Sequence, residues 1–88
     1  MSLNIYREQI DIIDEQLLSL FKERMGVSKD VALYKKEHNL SVLNAERECD
    51  ILSTVKEKTD DELRPYILRL YKTILEVSRE YQEDVINE

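Results

Sequence analysis

From Tyr6 onward, apolar side chains return at every fourth and third position in strict alternation: Tyr6, Ile10, Ile13, Leu17, Leu20, then, after Arg24, Val27, Val31 and Tyr34. Because 3.6 residues complete a turn, this spacing marks one face of a helix, the seam along which it packs on other helices. The pattern predicts a helix from about residue 4 to about residue 37, with Ser2 or Asn4 as a cap and His38-Asn39-Leu40-Ser41 as the loop that ends it. A second helix is predicted over about 44–57, capped by Asn44 and carrying Ala45, Cys49, Leu52 and Val55 inward. Thr59-Asp60-Asp61-Glu62 reads as a turn with capping-box spacing. Pro65 suits the first turn of a third helix, over about 63–86, whose apolar row is Leu63, Ile67, Leu70, Ile74, Val77 and Tyr81. No segment alternates with period two, so the expected class is all-α: one long helix, one short and one medium.

Length changes this picture. At roughly 1.5 Å per residue the first helix is about 50 Å long, whereas a compact chain of this size is only about 30 Å across. The helix overshoots its own domain, taken as residues 1–88. Part of its seam must then be covered by another chain, and an intertwined two-fold homodimer is expected. Short chains often gain stability in this way.

Charge and composition narrow the function. The net charge of −6 leaves no overall basic field for nucleic acid or an acidic membrane surface. An anion would need cations focused locally. No apolar run approaches a membrane span, and the N-terminus lacks the apolar core of a signal peptide, so a cytoplasmic location is expected. Cys49 is the only cysteine, which excludes an intrachain disulfide and leaves a small packing residue as its expected role. His38 is the only histidine, with no cysteine or second histidine at ligand spacing. No Ser-His-Asp set or glycine-rich phosphate loop is present either, so neither metal nor cofactor is expected.

Several polar residues break the pattern. Arg24 occupies a seam position, where an arginine is costly to bury unless it meets a carboxylate or an anionic ligand. Lys35 lies eleven residues later, within about 20° on the same face and roughly 16 Å along the axis, so the two could grip opposite ends of one small anion. Arg7 is roughly 25 Å from Arg24 and about 100° around the helix; it can reach such a site only in a partner chain. Glu48, in the run Glu46-Arg47-Glu48, falls on the apolar side of the second helix. Ser78 and Gln82 are stacked at i and i+4 on the third, flanking its apolar row.

Together, Arg7, Asp14-Glu15-Gln16-Leu17-Leu18, Glu23-Arg24, Val27, Val31, Lys35, Val42, Arg47-Glu48 and the late Ser78 with Gln82 resemble the all-helical chorismate mutase family over nearly the whole chain. The resemblance implies an intertwined dimer of three-helix subunits, each site completed by an arginine from the other chain, here Arg7. It implies that Arg24, the partner's Arg7 and Arg47, assisted by Ser78, surround the two carboxylates of chorismate. Lys35 and Gln82 would face the ether oxygen, and Glu48 would accept from the ring hydroxyl. Asn44 stands where the family often has Asp; both cap helices well. The implied reaction is the Claisen rearrangement of chorismate to prephenate, in the pathway to aromatic amino acids. The alternatives are an isochorismate-pyruvate lyase of the same fold and a non-catalytic helical dimerisation or regulatory module. The module would explain the seam but gives no reason for Arg24 and Lys35 to share a face.

Overall fold

A computed structural model describes residues 2–88 as three α-helices, α1 (Leu3–Glu37), α2 (Ala45–Lys58) and α3 (Arg64–Ile86), with no strand among the described residues. Each boundary lies within a residue of the one the periodicity predicts. None of these helices is long and apolar enough to cross a membrane.

The ends are fixed by local chemistry. α1 closes in a Schellman arrangement: Leu40 N–H donates to Lys35 O at 2.8 Å, Asn39 N–H donates to Lys36 O at 3.4 Å, and Asn39 adopts the left-handed φ of 55°. Asn44 caps α2, its Oδ1 accepting from the backbone N–H of Arg47 at 3.0 Å. The capping box expected at Thr59 is not formed. The Thr59 hydroxyl turns back to Val55 O and Lys56 O, and Asp60 instead accepts from Leu63 N–H at 3.3 Å. Thr59 is thereby used to end α2 rather than to begin α3.

α3 is the shared element: α1 and α2 both pack on it and have no close backbone approach to each other. Its inward row is Leu68, Tyr71, Leu75, Ser78, Gln82 and Val85, the last four buried. This row is one residue round from the apolar row read from sequence, of which Leu63 and Leu70 are exposed. In α1 the inward row is Phe21, Met25, Ser28 and Ala32. The small Ser28 and Ala32 are its buried members and let α3 approach closely. α2 turns Glu48, Ile51, Leu52 and Val55 inward, while Ala45 and Cys49 are exposed, so the packing role expected of Cys49 is not realised within the chain.

The apolar seam of α1 is therefore left largely open within its own chain. Leu17 is 57% exposed and Leu20 62% exposed, and Tyr6, Ile10, Ile13, Val27 and Tyr34 are also open. The chain measures 56 × 28 × 14 Å with a radius of gyration of 16.2 Å, beyond the roughly 12 Å of a compact chain of this length. Among the described residues no large side chain is fully buried.

Gly26 lies on the side of α1 opposite both rows, and a Cβ placed there meets nothing within 4 Å. Gly26→Ala is expected to raise stability by about 0.5–1 kcal/mol by reducing the freedom of the unfolded chain. A chemical-denaturation midpoint that stays unchanged or falls would show that this face is occupied.

Candidate active site

The gap between α1 and α2 above α3 is a cavity of about 590 Å³. Its walls include seven of the eight residues singled out from sequence: Arg24, Lys35, Asn44, Arg47, Glu48, Ser78 and Gln82. They come from all three helices and the α1–α2 loop, so closure of the cavity depends on the fold. Arg7, near the other end of α1, is exposed and does not line it.

Arg24 and Lys35 sit at the edge of α1, between its inward row and the open seam. Arg24 is half-buried, and its Nη1 donates to Ser78 Oγ at 2.7 Å. Among the described residues no carboxylate pairs with it, so its charge remains available to an anion. The Ser78 hydroxyl accepts from Arg24 and points its own hydrogen towards Met25 Sδ, 3.9 Å away, a weak contact that rotation could exchange for a ligand. Lys35 Nζ donates to Val42 O at 2.8 Å. An ammonium carries three donors, so this bond aims the group and ties down the loop while leaving the other two free.

From α2, Arg47 reaches the cavity from an exposed position, and its guanidinium has no hydrogen bond or ion pair among the described residues. The helix start that presents it is set by Asn44, whose amide oxygen supplies the capping contact. The capping function of the carboxylate common at this position in the resembling family is therefore met by asparagine. α3 contributes Gln82, only 9% exposed, whose Oε1 is buried without a hydrogen-bond partner. Leaving such an oxygen unpaired costs about 1–3 kcal/mol, and a 180° turn of the amide replaces it with two donors.

One residue was not anticipated. Arg79 lines the cavity and its Nε lies 3.2 Å from Glu48 Oε2. The signal was present in the spacing, since residues 75, 78, 79 and 82 share one helix face. The charged lining is thus Arg24, Lys35, Arg47 and Arg79 against Glu23 and Glu48. A chain with a net charge of −6 concentrates an excess of cations around one cavity.

Fold and cavity together define a small three-helix protein with a cation-lined, partly apolar chamber suited to a small anion. Residues 6–83 match the family model for chorismate mutase type II, and the chain belongs to that family. No curated protein and no solved structure compared with the chain matches it significantly.

Proposed function

We propose that the protein catalyses the rearrangement of chorismate to prephenate in sites completed across a homodimer. The observation that carries this reading is the convergence of Arg24, Lys35, Arg47, Glu48, Ser78 and Gln82, from three helices, on one cavity. Membership of the chorismate mutase type II family supports the same substrate.

The reaction is unimolecular. One C–O bond breaks and one C–C bond forms within the substrate, so no covalent bond to the protein and no external redox partner is needed. Two tasks remain. The enolpyruvyl arm must be held over the ring, and the charge that gathers on the ether oxygen must be stabilised. Arg24 and Arg47, with the partner's Arg7, perform the first by holding the two carboxylates. Pre-organised geometry of this kind is worth several kcal/mol. Lys35, its ammonium held in direction by Val42 O, and the amide N–H of Gln82 perform the second as donors to the oxygen where negative charge develops. Gln82 donates without titrating, so the reaction proceeds at neutral pH. Glu48 accepts from the ring hydroxyl, and Ser78 supports a carboxylate beside Arg24.

The homodimer draws its support from the elongation of the chain, 56 Å in its longest dimension, and from the open seam of α1. A second copy of α1 is the element with a matching heptad-like stripe over the same length. Because Arg24 lies on the edge of that seam, a partner helix on it brings foreign side chains to the mouth of the cavity.

The test is conversion of purified chorismate to prephenate at neutral pH, with Arg24→Ala beside the wild type. Turnover far above the spontaneous rate, falling by about 100-fold or more in the variant, is expected. A well-folded wild type without turnover would reject the proposal, and release of pyruvate from isochorismate would replace it with the lyase reaction.

A further inference from the structure

The Arg79–Glu48 pair has a use beyond joining α2 to α3. We propose that Arg79 is a positioning residue that fixes the Glu48 carboxylate for a ring hydroxyl, and so helps select hydroxylated dianions. The inference rests on the proposed mutase reaction and deepens it.

Three observations carry it. First, Arg79 Nε forms an ion pair with Glu48 Oε2 at 3.2 Å, and Glu48 Oε1 makes no hydrogen bond among the described residues, so that oxygen is left for another donor. A glutamate side chain has three rotatable bonds and needs a second contact to present that oxygen in one direction. Second, both side chains line the cavity, and both are partly shielded, at 35% and 23% exposure. The pair therefore borders the cavity and is only partly open to solvent. Third, a carboxylate beside a dianion is repulsive by itself. Arg79 offsets the Glu48 charge, leaving an acceptor that a hydroxyl can satisfy. A ligand without a donor there leaves that acceptor unpaired, which is the usual origin of strong discrimination.

The hydroxyl is not a reacting group, and its contact exists before and during the reaction. Loss of such uniform binding raises KM and leaves kcat nearly unchanged. Arg79→Ala is accordingly expected to raise KM for chorismate by roughly tenfold while kcat changes by less than about threefold. For a chorismate analogue with hydrogen in place of the ring hydroxyl, the same substitution should raise KM by a clearly smaller factor than it does for chorismate, because only the charge offset and not the hydroxyl contact is lost. In a Glu48→Gln background, Arg79→Ala should cost less than about twofold. Arg79→Lys retains the charge but not the planar fork, and its KM should fall between wild type and Arg79→Ala.

The experiment is steady-state kinetics of these variants on both substrates, with thermal melts by circular dichroism to confirm folding. If Arg79→Ala unfolds, Arg79→Lys supplies the same substrate comparison. An equal penalty on chorismate and on the analogue would reduce the pair to a structural tie and overturn the inference. An undiminished penalty in the Glu48→Gln background would show that Arg79 acts without Glu48, and overturn it as well. Failure of the mutase reading is separate: the wild type itself would not turn over chorismate.

Discussion

Lys35→Ala is expected to lose about 100- to 1,000-fold in kcat, the usual cost of removing one donor aimed at developing negative charge. The ammonium is in the cavity wall and is held in direction by Val42 O at 2.8 Å, with two donors to spare. A donor fixed before the reaction begins needs no reorganisation as the C–O bond stretches, and this is why the effect falls on kcat more than on KM. The same substitution removes the hydrogen bond to the loop carbonyl, worth about 1 kcal/mol, so the melting temperature should drop by only several degrees. These two readouts separate chemistry from folding. A variant that melts near the wild type but keeps more than about a tenth of its turnover would show that Lys35 is not the donor at the ether oxygen.

The helices were legible because their periodicity is strong and their ends carry specific chemistry. Asn44 behaves as the cap its type and position imply, and the excess length of α1 was readable from rise per residue alone. Which row of α3 faces inward was not legible from hydrophobicity. The row that packs on α1 contains Ser78 and Gln82, and these interrupt its apolar character at the cavity. The neighbouring row through Ile67, Ile74 and Val77 is more uniformly apolar and half-buried, and hydrophobicity alone selects it. The displacement thus comes from the polar residues that line the cavity. α1 shows the complementary effect. Its most apolar row is the open seam, while its packed row uses Ser28 and Ala32, whose small size permits contact and whose sequence signal is faint. Arg79 was missed for a different reason. Its partner is on another helix, and the distance between them depends on the turn through Asp60 that sets how α2 and α3 meet. Spacing within one helix places Arg79 beside Ser78 and Gln82 but does not reveal Glu48.

Mixing two inactive variants should restore activity. Arg7 is exposed and outside the cavity of its own chain, whereas Arg24 is in the cavity wall and bonded to Ser78. If each site takes Arg24 from one chain and Arg7 from the other, an Arg7→Ala homodimer and an Arg24→Ala homodimer each lack one arginine in both sites. A hybrid dimer concentrates both defects in one site and leaves the other intact. With free exchange between equal amounts, half the dimers are hybrids with one working site in two, so about a quarter of wild-type turnover should return under two-fold symmetry. If both arginines hold the substrate carboxylates as proposed, each parent alone should remain reduced by about 100-fold or more. The exchange itself can be verified by native mass spectrometry of the mixture, after dissociation and refolding together if the subunits exchange slowly. Hybrids that form without any recovery would exclude a shared site and leave Arg7 as a surface residue. The outcome bears on the fold as well as on the chemistry: recovery requires the open seam of α1 to be covered by a second copy, close enough to bring its Arg7 to the edge where Arg24 and Lys35 lie.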